Sequence, residues 1–369
     1  MKECKYLTVA CSMLFAVTLI AVAEDEPMIG DKPLPELLKQ LRSENRGLQM
    51  RAAQALTAAP TNLHEKIIPQ LIPMLKSERE NDRFVAAQTL GNYGPASRAA
   101  VPDLVPLLKG TQYERNRAAS AKSLGLILVN APPSEEVDKV ARALAEKLNE
   151  DYDSYSDVRR ESVRAIGMIG PAARSVIPKL SKGLTDFVQY SVEHQMVRQQ
   201  AAWTCGRMGP LAAEHVDRLV SMLNSEGEQL PQIVEALGLI GPVNPNIVPN
   251  IVNKIEAADV NIDAWSGFRA TAFAALARIG PKAEGALAFT KRFLSQQPAP
   301  WDAHRMKIST EALKFLQTVG PKAKECAGEV EKLTKYPVPG DRGSDAAVSA
   351  KALQEEAVKT AELLKRADK

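Results

Sequence analysis

A chain of 369 residues rich in Ala and Leu, with 5% aromatic and 25% charged residues, excludes a wholly disordered polymer and suits a soluble helical protein with a modest core. Its 47 Lys and Arg against 44 Asp and Glu leave a formal charge of +3, too near balance for the whole molecule to signal nucleic-acid binding. That length fits two or three globular domains or one continuous repeat array, so internal repetition has to be sought first.

The first segment, residues 1–23, reads as a secretory signal. Lys2 and Lys5 form a basic start, Leu7 to Ile20 an apolar run, and Ala21-Val22-Ala23 a small-residue cleavage site before Glu24. The run is short of the roughly 20 apolar residues a membrane span needs, so a retained anchor is the competing reading. A lipid-modified Cys11 is disfavoured because most of the apolar run follows that cysteine. Export to the periplasm or the extracellular space is therefore expected. Cleavage removes Cys4 and Cys11 and leaves Cys205 and Cys326, about three repeats apart, which are expected to be separate buried thiols.

Residues 24–32 read as a flexible N-terminal segment. From residue 33 a phrase recurs: Leu or a similar residue, Gly, two or three residues, then Gly-Pro. It occurs as TLGNYGP, AIGMIGP, TCGRMGP, ALGLIGP, ALARIGP and FLQTVGP, with weaker copies ending at Pro60 and Pro132. Successive prolines from Pro60 to Pro321 are 35, 37, 39, 39, 32, 39 and 40 residues apart, the period of a two-helix repeat. Before each phrase the apolar residues stand at helical spacing, as in Val163, Ile166 and Ile169. Glycine then ends the helix in a left-handed conformation, and proline begins the next segment. Pro102, Pro106 and Pro178 are expected to bend or shorten that following helix. No segment alternates with period two, so almost no sheet is expected.

The units resemble HEAT repeats, including the short bacterial phycobilisome-lyase-like variety. The pattern is an arginine, a small-residue pair, a Leu-Gly and an Ile-Gly, as in VRRESVRAIGMIGP at 158–171 and FRATAFAALARIGP at 268–281. The resemblance implies an all-α superhelix of stacked antiparallel helix pairs, an α-solenoid, with about eight units over residues 33–336. Its implication for function is broad, because such repeats serve scaffolds, transport factors, lyases and hydroxylases. The unit ending at Pro242 departs from the pattern, with Leu230 and Pro231 where others carry arginine and a helical residue. Residues 337–343 read as a loop, and 344–369 as a polar helix capping the last unit.

Enzyme signals are scarce. His64, His194, His215 and His304 fall in separate units without metal-ligand spacing, and no phosphate-cradling loop or nucleophile elbow occurs. No catalytic residue, metal or cofactor is expected. Asp151, Asp153 and Asp157 sit in DYDSYSD, an incomplete set for calcium and better read as a solvated loop.

Seven residues before the Leu-Gly anchor stand Arg83, Arg117, Arg159, Arg198 and Arg269, a ladder expected to pair with acids such as Asp82 or Asp157. Positions two before and two after the anchor share one exposed face and carry Lys122, Arg164, Met168, Trp203, Arg207, Glu235, Arg278 and Lys314. By analogy with the resembling stacks, this face is the concave side. Its cations outnumber the one anion, Glu235, and Trp203 stands near the middle as a candidate anchor, the alternative being a Trp tucked against a neighbouring helix. Trp265 and Trp301 read as packing or cap residues near turns. The expected function is a non-catalytic scaffold that takes a protein or peptide segment, acidic ones included. A lyase-like enzyme and a binder of an anionic envelope polymer are the alternatives.

Overall fold

A computed structural model describes residues 26–110, 113–149, 156–185, 192–225, 230–257, 264–340 and 343–366. The chain is an all-α solenoid in which two kinds of helix alternate. The Leu-Gly helices are α2 (Arg46–Thr57), α4 (Glu80–Asn92), α6 (Glu114–Ile127), α8 (Ser156–Ile169), α10 (Val192–Met208), α12 (Leu230–Ile240), α14 (Ala264–Ile279) and α16 (Ala303–Val319). Each packs along its length on the next. A second layer is formed by α1 (Leu34–Leu41), α3 (His64–Leu71), α5 (Val101–Lys109), α7 (Glu135–Glu146), α9 (Leu180–Leu184), α11 (Val216–Asn224), α13 (Ile247–Ala257), α15 (Leu287–Ser295) and α17 (Ala327–Leu333). The apolar faces of the two layers meet in one continuous core running from Ile29 to Leu364.

The Gly-Pro phrase is a conformational device. Gly94, Gly170, Gly209, Gly241, Gly280 and Gly320 all have φ between 57° and 83°, where a side chain is strained. In five of these six units the glycine opens a 3-10 segment: Gly94–Ala100, Gly170–Lys179, Gly209–His215, Gly280–Ala286 and Gly320–Cys326. The weaker copy ending at Pro132 uses Asn130 instead, at φ 50°, because asparagine tolerates that region better than most residues. After Gly241 the 3-10 segment is missing, and bends run up to α13. Here Pro245 follows Asn244, and a residue before proline is pushed out of the helical region. The displaced backbone leaves a hollow of about 570 Å³ beside Pro242, Val243 and Val248.

The other glycine of the phrase sets the distance between layers' neighbours. A Cβ built on Gly125 would stand 2.7 Å from the Cα of Ala165, and one on Gly238 would stand 2.7 Å from the Cα of Ala275. Gly91 meets Ser123, Gly167 meets Trp203 and Thr204, and Gly206 meets Ala236 in the same way. The residue facing each glycine precedes the anchor of the next helix and is small in all five junctions. Where it carries a hydroxyl, that group donates back to the previous helix: Ser123 Oγ to the Ala87 carbonyl at 2.7 Å, and Thr204 Oγ1 to the Val163 carbonyl at 2.8 Å. At the α14/α16 junction Ala277 takes the glycine's place and Phe315 the small residue's. The gap is filled by Phe273, which lies against Phe289, Phe293 and Phe315.

Second-layer neighbours are joined differently, through long charged side chains: Lys76 to Asp103 at 2.7 Å, Lys109 to Glu146 at 3.3 Å, Arg292 to Glu256 and Lys322 to Glu284. Such exposed pairs contribute little stability each. The helices therefore approach closely through glycine on the Leu-Gly side and across longer lysine–carboxylate spans on the other.

Other elements flank the helix pairs at each end of the described residues. Within residues 24–32, expected to be flexible, Met28 to Lys32 together with Pro33 form a minimal antiparallel hairpin of β1 (Met28–Ile29) and β2 (Lys32–Pro33) around Gly30 at φ 63°, with Ile29 buried. At the other end α18 (Asp345–Arg366) packs on α16 and α17, where a further Leu-Gly helix would stand. Gln317 Nε2 donates to Glu356 Oε1 at 2.6 Å and Thr360 Oγ1 at 2.9 Å, fixing α18 in register.

Candidate functional site

The residues of the expected stripe do share a face. Lys122, Arg164, Arg207, Arg278 and Lys314 are exposed, and Met168, Trp203 and Glu235 are half-buried. Their setting differs from the open cationic row that the sequence pattern implies. Arg278 lies 3.8 Å from Glu235, Lys314 2.7 Å from Glu311, and Arg164 3.9 Å from Glu161. Glu161 and Glu311 stand three residues before their cations, one helical turn away, so the excess of positive charge is smaller than a count of stripe positions gives. Arg207 is tied down further: its Nη2 donates to Asn130 Oδ1 at 2.8 Å and its Nε to the Gly167 carbonyl at 3.5 Å. Lys122 keeps an exposed ammonium.

Apolar seats run between these charges. The Trp203 ring lies on Gly167, so close that a Cβ there would be 2.5 Å from the ring edge, and the Arg207 guanidinium stands 6.0 Å from the ring centre. Trp203 is thus packed against the neighbouring helix while keeping part of its surface open. Met168 sits over Gly125 and Leu239 over Gly206 by the same geometry. Leu239 is 39% exposed. Three consecutive helices therefore each seat a large apolar side chain on the glycine of the preceding one, giving a discontinuous ridge of Met168, Trp203 and Leu239 edged by Arg164, Arg207 and Arg278. Leu239 stands two residues after the anchor, on the same face as Met168.

Two members of the arginine ladder bond main-chain carbonyls. Arg83 Nη1 donates to the carbonyls of Ser77 at 2.6 Å and Glu78 at 2.9 Å, and Arg117 Nη1 to that of Gly110 at 3.3 Å. These carbonyls end the preceding second-layer segments, where helix termini leave acceptors open. Asp82 pairs instead with Arg79 at 2.8 Å, and Asp157 with Arg160 at 2.6 Å. Asp151 and Asp153 lie outside the described residues.

His64 stacks on Tyr93 at 4.1 Å, His215 Nε2 bonds the Ile177 carbonyl at 2.8 Å, and His194 is buried 3.4 Å from Arg159 Nη2. Each serves the packing of its own junction. Among the described residues no three His, Cys, Asp or Glu side chains come together to hold a metal ion. Burial pushes the thiols of Cys205 and Cys326 up to about 12, so both stay protonated at neutral pH. Trp301, expected to pack, is 81% exposed, because the loop before α16 turns it outward while Tyr336 Oη holds that loop through the Pro298 carbonyl at 2.9 Å. The side chain of Trp265 lies outside the described residues.

These features define an α-solenoid: residues 34–125 match the profile of the HEAT repeats, and stacked helix pairs continue beyond them. Solved structures agree on the fold. The chain is similar to importin beta (TM-score 0.68, 14% identity, 92% of this chain and 47% of that one). It is also similar to the karyopherin Kap121p bound to the extreme C-terminus of the protein phosphatase Cdc14p (TM-score 0.62, 14% identity, 89% and 40%). An engineered protein matches over 87% of this chain and 88% of its own at 20% identity, with TM-score 0.50. The chain spans less than half the length of the importin and karyopherin structures. No curated protein matches it in sequence.

Proposed function

We propose that this protein is a non-catalytic binding scaffold that works outside the cytoplasm and receives a protein segment on the Leu-Gly face of α8, α10, α12 and α14. The observation that supports this reading is the ridge of Met168, Trp203 and Leu239 flanked by Arg164, Arg207 and Arg278. Apolar seats with cations at their edges suit a segment carrying apolar side chains spaced by acidic ones, since Trp and Arg concentrate binding energy at interfaces. The Kap121p complex is a solenoid of this type holding a protein terminus. Affinity capture from the native compartment is expected to recover partners with the intact protein and to lose at least tenfold of that yield with Trp203→Ala. Because Trp203 also packs on Gly167, the exposed charge reversal Arg164→Glu serves as a second variant. Equal recovery by both variants with unchanged helicity would show the ridge to be a packing feature alone. Capture that falls steeply with salt in both forms would point to an anionic polymer instead.

The extracytoplasmic setting is a reading of residues 1–23. No described helix is long and apolar enough to cross a membrane. N-terminal sequencing of the protein isolated from its native source is expected to begin at Glu24; a chain beginning at Met1 in the soluble cell fraction would refute export.

A further inference from the structure

The first three units carry a second feature, away from the ridge. A polar hollow of about 520 Å³ opens where α2 and α4 begin, with Arg46, Gln49, Arg79, Asp82 and Arg115 among its lining residues. Its floor is neutral: Asp82 pairs with Arg79 at 2.8 Å and also accepts from Gln49 Nε2 at 2.6 Å and Ser77 Oγ at 2.8 Å. Gln49 is in turn held by the Leu41 carbonyl at 2.9 Å and by Asn81. That leaves two arginines on the walls. The Arg115 guanidinium lies 3.5 Å over the ring of buried Phe84, which fixes its plane, and its side chain bonds Asn81 Oδ1 at 3.5 Å. Among the described residues no carboxylate comes within ion-pairing distance of Arg115 or of Arg46.

Glu44 and Glu80 lie on the rim, so the count of charges alone does not decide what the hollow takes. Their arrangement does. Burial first and then the charge of Arg46 hold Arg115 below the usual arginine range, while Glu80 opposes them. The 13-residue α4 starts at the wall with Glu80 and Asp82 in its first turn, which offset the positive end of the helix, so the arginine side chains carry the recognition. A stacked, oriented guanidinium lacking a carboxylate matches the geometry of bidentate carboxylate recognition.

We infer that this hollow is a binding site for a carboxylate group of an acidic peptide, received between Arg115 and Arg46. The site is separate from the Trp203 ridge, and either can fail while the other stands.

The test is a titration of the full chain, followed through the arginine Nε–H signals in nuclear magnetic resonance. It uses a tetraglutamate peptide, inorganic phosphate, and sodium chloride at matched ionic strength. The peptide is expected to shift the Arg115 signal saturably. Arg115→Gln should weaken peptide binding at least tenfold and Arg46→Gln several-fold, whereas Arg366→Gln at the exposed end of α18, away from both sites, should leave it unchanged. Arg46 is exposed, so its variant keeps the test valid if Arg115→Gln unfolds. Equal shifts from chloride, saturation by phosphate but not by peptide, or undiminished peptide binding by Arg46→Gln and Arg115→Gln would each overturn the inference.

Discussion

Gly238→Ala is expected to destabilise the protein by about 1–2 kcal/mol, although alanine is the better helix former by about 1 kcal/mol. The added methyl would stand 2.7 Å from both the Cα and the Cβ of Ala275, inside any tolerable contact, and the obstacle is backbone that cannot swing aside. α12 and α14 would have to separate, which opens the core of two units at once. Gly267→Ala is the matched control. That glycine is also helical, lies in α14, and has nothing within 4 Å of its missing Cβ, so the same substitution should stabilise by up to about 1 kcal/mol. Urea denaturation of both variants checks the contrast. If they shift the midpoint in the same direction, the claim that glycine sets the spacing of the Leu-Gly helices is wrong.

Removing α18 by ending the chain after Gly343 should have a larger effect. The helix buries Leu353, Leu364 and four alanines against α16 and α17. Two fully buried leucines alone contribute roughly 3–6 kcal/mol, and the loss of their cover exposes the facing apolar surfaces as well. In an array where each unit contacts its neighbours, an uncapped terminal unit is the sticky one. The truncated protein is expected to self-associate and to lose helix beyond the deleted residues, seen by light scattering and circular dichroism. A stable monomer retaining the rest of its helicity would mean that the array ends sufficiently at α17.

The two experiments separate what neighbouring units do from what each unit does alone, and the same division runs through the sequence. The helices and the left-handed glycines ahead of each proline were legible because they depend on residues a few positions apart: apolar spacing, a missing Cβ, a missing N–H. Asn130 shows the rule even where glycine is absent. The Asn244-Pro245 break is equally local, though its outcome, a hollow in place of a 3-10 segment, had to be seen.

Side-chain destinations were a different matter. The Leu-Gly glycine was visible as a recurring residue, yet its purpose lies in the small residue of the next helix, some forty positions on. Arg207 ends on Asn130, 77 residues earlier. Arg83 and Arg117 bond carbonyls that helix spacing did not point to, Trp203 is both packed and partly open, and Trp301, read as a packing residue, faces outward. Taken by itself, the sequence determined an all-α array and its period, since torsional preference acts within a turn or two. Only the tertiary structure decided which helix faces touch through glycine, which cations remain open and where apolar surface stays wet, because those follow from how closely one unit's backbone approaches the next.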